Sequence, residues 1–254
     1  MNSWAWSEND LHLALTDLNL LPGDHVFLHS NLGFSGVCKQ ANPSATILEG
    51  ILDKIGESGS IFLPAFSYSF PQGRTFDPLV SSPSSAMGSV SIVADSLGFE
   101  KSRDPIFGVL GKGERVGKLF ESQLNRSFGP GSLFSKLLDL DVKMLSINAG
   151  AGGTIVHEME YRISVPYRYE KIFQGKVLDS RKNISVDTEW ISYVRDLSNP
   201  LTEAKFENLT KNLHHKGIWK KAILGKGYIS KASSMEVFNY VSEAIQIDPA
   251  LLLK

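Results

Sequence analysis

A single cysteine, Cys38, is the whole thiol content of this 254-residue chain. One thiol makes neither a disulfide framework nor a thiolate metal cluster within a chain, and with no motif around it Cys38 reads as a structural group. Net charge is equally scarce: 26 Lys plus Arg stand against 27 Asp plus Glu, a balance of -1. No global field then favours nucleic acid or an anionic membrane. No apolar run reaches the length of a membrane span. The stretch Met1 to Asp10 has no basic region and no apolar core, so it does not read as a secretory leader, and the expectation is a soluble, cytoplasmic protein. Three phosphate-binding or nucleophile signatures are also missing: G-x-G-x-x-G, the P-loop ending G-K-[ST], and the elbow G-x-S-x-G.

What remains is an ordinary globular composition, 42% hydrophobic and 21% charged, with enough length for a substantial core. Ser7 with Asp10 three residues on predicts a capped helix through Leu18. His25 to Leu28 reads as a buried strand ending at His29 and Ser30. Asn42-Pro43-Ser44 opens a helix with apolar positions 47, 48, 51, 52 and 55, and Ser60 to Pro64 is a second short strand. Ser67 to Met87 is a long loop rich in Ser, Pro and Gly, of the kind that carries function. A short helix covers Gly88 to Leu97, and Lys101 to Gly113 reads as extended and loop-like. Helices are expected over Glu114–Phe120 and Gly131–Leu138, and a strand over Val142–Ile147. Lys171–Leu178 and Ile184–Val194 suggest exposed antiparallel strands. A helix over Thr202–Leu213, a hairpin turning at Gly225-Lys226-Gly227 and a closing helix over Ser233–Ile245 complete the chain. The expected fold class is α/β, one domain over residues 1–254, with a central mixed sheet flanked by helices.

The most informative stretch is Gly152-Gly153-Thr154-Ile155-Val156-His157-Glu158-Met159-Glu160. It follows the strand ending at Ile147 and a small-residue turn, then opens a helix. At about 100° per residue, His157 and Glu160 project only about 60° apart and share a face. A carboxylate holding one ring nitrogen leaves the other free for a proton, which is what acid–base catalysis needs. Thr154 is read as the helix N-cap. The turn from His29 to Val37 leaves the first strand with two glycines and several backbone N–H groups, so a phosphate or pantetheine chain could approach it closely; a plain connection is the bland alternative. A metal is disfavoured: His25 and His29, four apart on a strand, stand roughly 13 Å from each other, too far to share an ion. Lys211 to Lys221 is either a solvated face or a contact to an anionic cofactor phosphate. Tyr161, Arg162, Tyr167, Arg168 and Tyr169 either bind a sugar or carboxylate or simply pack.

These residues carry a resemblance. His29-Ser30-Asn31-Leu32-Gly33, Leu63-Pro64-Ala65-Phe66, Phe76-Asp77-Pro78, Gly88, Thr154 to Glu160, Val165-Pro166-Tyr167-Arg168 and Asp248-Pro249 occur in order and span nearly the whole chain. In this the chain resembles the aminoglycoside 3-N-acetyltransferases, with T-x-x-H-x-x-E as the most specific element. The resemblance implies an α/β fold, acetyl-CoA as donor, no metal, and His157 and Glu160 as catalytic residues. It places the donor against His29, Ser30, Asn31, Gly33, Phe34, Gly36 and Val37, with Ser102 and Arg103 nearby. The acceptor contacts are expected at Tyr68, Asp77, Asp104, Glu158 and Arg168. One departure stands out: where the family shows R-S-x-H-P-x-x-S, this chain reads Lys101-Ser102-Arg103-Asp104-Pro105-Ile106-Phe107-Gly108. That change, with the 165–173 segment, points to an amine of an amino sugar, in a surface-polysaccharide precursor or an aminoglycoside-like molecule. A different acyl donor and a silent sugar- or nucleotide-binding module remain as alternatives, and a homodimer is left open.

Overall fold

The computed structural model describes residues 4–179 and 182–254. Met1–Ser3, at the head of the stretch read as lacking a leader, lie outside the described residues, as do Ser180 and Arg181. In chain order the elements are β1 (Ala5–Trp6), α1 (Glu8–Asp17), β2 (His25–Ser30), β3 (Val37–Cys38), α2 (Pro43–Ile55), β4 (Ser60–Pro64), α3 (Ser89–Ser96), β5 (Glu100–Lys101), β6 (Val109–Gly113), α4 (Val116–Glu121), α5 (Leu133–Asp139), β7 (Lys143–Ile147), α6 (Val156–Ile163), β8 (Arg168–Asp179), β9 (Ile184–Arg195), α7 (Glu207–His215), β10 (Lys220–Leu224), β11 (Gly227–Ser233) and α8 (Ser234–Ile247).

Local chemistry sets several of these boundaries. The Ser7 hydroxyl accepts the Asp10 N–H at 3.3 Å and the Asp10 carboxylate accepts the Ser7 N–H at 2.7 Å, a reciprocal cap on α1. Asn42 accepts the Ala45 N–H at 3.1 Å, and Pro43 occupies the first turn of α2, where its missing N–H costs nothing.

Seven strands form the main sheet in the order β10-β11-β7-β2-β4-β6-β5. The inner three, β7, β2 and β4, run parallel; the flanking pairs are antiparallel. Successive side chains of a strand point to opposite faces. Val26, Leu28, Ile61, Leu63, Leu145 and Ile147 pack in one core with α1, α2 and α3. Phe27, Phe62 and Met144 pack in the other, with residues of α4 to α8. The result is a helix–sheet–helix sandwich, as the α/β expectation required.

The structure departs from the sequence reading in three places. Val109–Gly113 is not loop but β6, paired antiparallel to β4 through Leu63 and Leu110. Gly111 serves there because an added Cβ would stand 3.0 Å from both Val116 and Phe120. The helix expected from Thr202 starts only at Glu207; Pro200–Thr202 closes its own tight turn, with Thr202 bonded to Asp196 and Asn199. Finally, β1 and β3 form a short parallel pair that tethers the N-terminal segment beside the turn after β2.

Strands β8 and β9 pair over twelve residues each as a ribbon outside the main sheet. The expected exposed antiparallel strands are therefore present. A small apolar cluster of Phe70, Phe76, Ile106 and Trp190 lies under it. The 67–87 loop, apart from single turns at 70–72 and 85–87, is irregular and docks on the ribbon through Phe76 and Lys176, whose backbone groups bond at 2.9 Å. Because β2 has β4 on one side and β7 on the other, the crevice of this sheet opens beyond the carboxyl ends of β2 and β7. His29 and the 148–153 turn stand there.

Candidate active site

The turn after β7 is shaped by what packs against it. A Cβ on Gly152 would lie 2.1 Å from the Phe206 ring, one on Gly153 2.9 Å from the His29 ring, and one on Gly150 2.6 Å from the Thr210 hydroxyl. Three neighbours thus press on the backbone itself. Thr154 is not the side-chain cap expected for α6. Its hydroxyl lies 3.2 Å from His29 Nε2, and its N–H donates to the same nitrogen at 3.3 Å. His29 Nε2 is therefore an acceptor and carries no proton. Burial, and then the neighbouring His157, push the His29 pKa down to about 4, so the ring is neutral near pH 7. His29 pins the start of the helix that carries the second histidine.

On α6, His157 Nδ1 lies 2.7 Å from Glu160 Oε2. With Glu160 ionised, the proton of that contact belongs on Nδ1, so Nδ1–H donates to the carboxylate, the Nε2 lone pair stays free, and the Arg168 guanidinium near Nδ1 makes a charge contact and not a hydrogen bond. Glu160 is fully buried, and its other partners come from the chain just beyond the helix. Tyr167 donates its hydroxyl to Oε1 at 3.1 Å. Arg168 Nε forms an ion pair with Oε2 at 2.7 Å, and its Nη2 stands 3.0 Å from His157 Nδ1. Ser164, in the left-handed conformation at φ 59°, ends α6 and sends the chain back over the site. Phe107, Phe128 and Phe206 surround the imidazole, with ring centroids 6.3, 5.7 and 6.2 Å away.

The electrostatics follow. Burial and the Arg168 charge lower the His157 pKa below its ordinary 6.5, and Glu160 only partly opposes them. Burial alone would raise Glu160, but His157 and Arg168 outweigh it and hold this carboxyl below its usual range. Burial, with Glu160 next to it, raises the Tyr167 phenol, which stays a hydrogen-bond donor. The ring is 18% exposed. It borders a cavity of about 660 Å³ that is also lined by Tyr68, Phe107, Arg168, Tyr169, Lys171, Tyr193, Arg195 and Phe206. A second cavity, about 470 Å³, is lined by His29, Ala149, Gly150, Gly152, Gly153, Phe206, Glu207, Thr210, Lys211 and Tyr228. Phe206 forms part of both walls.

Of the expected acceptor contacts, Tyr68 and Arg168 reach the His157 cavity. The other three do not. Glu158 is buried on another face of α6, accepting the Gly129 N–H at 2.7 Å and pairing with Arg162 at 3.1 Å; one residue along a helix turns a side chain by about 100°. Asp77 closes a buried turn, accepting the Leu79 N–H at 2.8 Å. Asp104 is 1% exposed and accepts the N–H groups of Ile106 and Phe107, both at 2.8 Å. Burial pushes the Asp104 pKa up to about 6 against those two bonds and the nearby Ser127 and Trp190. Its role is to build the turn that delivers Phe107 to His157.

Among the expected donor contacts, His29 lines the second cavity. Ser102 is buried in strand pairing, its hydroxyl accepting the Val109 N–H at 2.9 Å. Arg103 is exposed beside a separate cavity with Asn125 and the far end of the ribbon. The turn from Ser30 to Val37 is tied down from outside. Asn31 donates its N–H to the Ile147 carbonyl at 2.8 Å, and Asn148 donates to the Asn31 carbonyl and the Ser35 hydroxyl at 3.1 and 2.7 Å. Gly36, at φ +82°, passes so close to the Trp4 carbonyl that a Cβ would sit 1.9 Å from it. Gly33 is close only to its neighbour Asn31, while Phe34 and Val37 are exposed. Of the tyrosines expected to bind a ligand or to pack, Tyr167 bonds the Glu160 carboxylate and Tyr169 lines the His157 cavity, whereas nothing in the sequence marks Phe206. Among the described residues, no cluster of three or more His, Cys, Asp or Glu could hold a metal, and no helix is long and apolar enough to cross a membrane.

A family model described as aminoglycoside 3-N-acetyltransferase matches residues 27–246. No curated protein sequence matches the chain. Among solved structures it is similar to the aminoglycoside acetyltransferase AAC(3)-Xa, at 18% identity over 95% of this chain and 93% of that one, with a TM-score of 0.80. It is also similar to AAC-IIIb in its binary complex with CoASH, at 16% identity over 96% and 97%, TM-score 0.81. AAC-VIa bound to sisomicin matches at 17% identity over 96% and 98%, TM-score 0.80. At such identities the structural likeness is one of fold.

Proposed function

Because this chain belongs to the aminoglycoside 3-N-acetyltransferase family, we propose that it moves an acetyl group from acetyl-CoA to a primary amine of an amino sugar, with His157 as the general base. One observation carries the assignment: the 2.7 Å contact to Glu160 that spends Nδ1 and leaves Nε2 open at a cavity large enough for a sugar. An ammonium has no lone pair to attack with, so a base must take a proton before the C–N bond can form. A histidine below 6.5 is already neutral at pH 7 and ready to accept one. When the proton arrives, Glu160 faces the imidazolium and stabilises it. Arg168 and Tyr167 fix Glu160 in place.

The acetyl thioester supplies an acyl carbon already open to attack; transfer exchanges its C–S bond for a C–N bond, with no call for a metal. The second cavity suits such a donor. It lies at the carboxyl ends of β2 and β7, three glycines are among its lining residues, and Lys211 offers a cation for a phosphate. Gly152 and Gly153 line it, and their N–H groups, among the described residues, bond to no other protein atom. They are the donors we assign to the developing oxyanion. With Phe206 between the cavities, thioester and amine meet beside His157.

The test is acetyl transfer followed by mass spectrometry of the product, using acetyl-CoA and a panel of amino sugars and aminoglycosides. His157→Ala is expected to keep coenzyme A binding by calorimetry and to lose at least about a hundredfold in turnover. Unchanged turnover in that variant sinks the base assignment.

A further inference from the structure

His29 does more than hold the start of α6. Its Nε2 accepts the Thr154 N–H at 3.3 Å, and a backbone amide, unlike a hydroxyl, can only donate. The single proton of the neutral ring is therefore fixed on Nδ1. Among the described residues Nδ1 bonds to no protein atom, yet it is not sealed from solvent. The fold thus sets this donor and then leaves it unpaired, free for a ligand. The ring lines the cavity of about 470 Å³ together with Gly152 and Gly153. A Cβ added to Gly153 would lie 3.0 Å from Nδ1, so the ring edge and the Gly153 backbone adjoin with no side chain between them. His29 also lies near enough to His157 for the second ring to bear on its charge.

We infer that His29 is a catalytic residue, its Nδ1–H donating to the carbonyl oxygen of the acetyl thioester alongside the Gly152 and Gly153 N–H groups. This rests on the acetyl-transfer reading. As the amine nitrogen bonds to the acyl carbon, the C=O electron pair moves onto oxygen and His157 takes a proton from nitrogen. The pair then returns to re-form the carbonyl, the C–S bond breaks, and the leaving thiolate takes the proton from His157. Between those two events the oxygen carries a full charge. A neutral N–H donor fixed in a water-poor site stabilises that charge more than it stabilises the ground-state carbonyl.

Two amide replacements separate this role from the structural one. Gln reaches the Nε2 position with its oxygen, keeping an acceptor for Thr154 and supplying no donor at Nδ1. Asn places its amide nitrogen at the Nδ1 position and gives up the Thr154 bond. His29→Gln is expected to keep its stability and its affinity for coenzyme A by calorimetry, and to lose about a hundredfold in kcat. His29→Asn is expected to melt earlier yet turn over about tenfold faster than His29→Gln. A purely structural histidine predicts the opposite order, and His29→Asn turning over no faster than His29→Gln overturns the inference. Nitrogen-15 NMR on the wild-type chain, labelled at histidine, needs no variant. At neutral pH the His29 ring should show a protonated Nδ1 and a bare Nε2. Its N–H proton should move downfield with acetyl-CoA in the absence of an amine, and not with coenzyme A, which lacks the acyl carbonyl. A proton on Nε2, no shift, or the same shift with both ligands overturns the inference. An acetyl-CoA-specific shift in a chain that acetylates no amine keeps the His29 contact and overturns the acetyl-transfer reading; an active wild type with full turnover in His29→Gln does the reverse.

Discussion

Replacing Glu160 by Gln removes one charge from a buried cluster and changes little else in shape. Three groups lean on that carboxylate: His157 Nδ1 and Arg168 Nε at 2.7 Å each, and the Tyr167 hydroxyl at 3.1 Å. Arg168 is 6% exposed, so the variant leaves a guanidinium buried without its counter-ion, a loss of about 3–5 kcal/mol in stability. The sign with pH is fixed by the carboxyl being held below its ordinary range: the wild-type advantage is present above about pH 4.5 and fades as the pH falls through the folded-state value. Catalysis changes in a separable way. Glu160 is the one neighbour that raises the His157 pKa, against burial and Arg168. The wild-type acid limb of kcat/KM therefore lies below pH 6.5, and in Glu160→Gln it moves lower still while the plateau drops about a hundredfold or more. Rate–pH profiles recorded below the melting temperature, with a chemical denaturation curve for each protein, read the two effects independently. A plateau within a factor of about three of wild type, or a limb that moves to higher pH, would refute the orienting role.

Two further predictions concern the scaffold. Asp104 holds its proton to about pH 6 in the folded protein, against 3.8 for the free group, so stability falls as the pH rises between those values. Asp104→Asn keeps an oxygen for the Ile106 and Phe107 N–H groups, and should gain up to about 3 kcal/mol at pH 7 and almost nothing at pH 4 in urea melts; an equal gain at both is the contrary result. Gly152→Ala would press a methyl into the Phe206 ring, and should cost about 1–3 kcal/mol and disturb the wall shared by the two cavities; a variant as stable and active as wild type would contradict the packing described.

The parts of the site that were legible in the sequence are those with a fixed local geometry. His157 and Glu160 share a helical face by spacing alone, and the structure closes them to 2.7 Å. Glu158, an expected acceptor contact on the same helix, points instead to Gly129 and Arg162, because one residue along a helix turns the side chain by about 100°. Asp104 and Asp77 are expected acceptor contacts, yet each caps its own backbone, a common use of short acidic side chains in turns that composition does not separate from ligand binding. Thr154 looked like a cap from its position; a histidine 125 residues earlier claims it instead. Strand β6 was hidden by its two glycines, Gly111 and Gly113, which break the alternation that marks a half-buried strand. Phe206 had no local signal at all, since its importance lies in touching two cavities brought together by distant segments.

The most direct test of the account is a crystal structure with coenzyme A and an amine acceptor bound together. The sulfur should lie in the cavity lined by Gly152 and Gly153, beside Phe206, with the acceptor nitrogen within about 2.6–3.2 Å of His157 Nε2. A sulfur bound outside that cavity, or an Nε2 closed off by protein atoms, would contradict it.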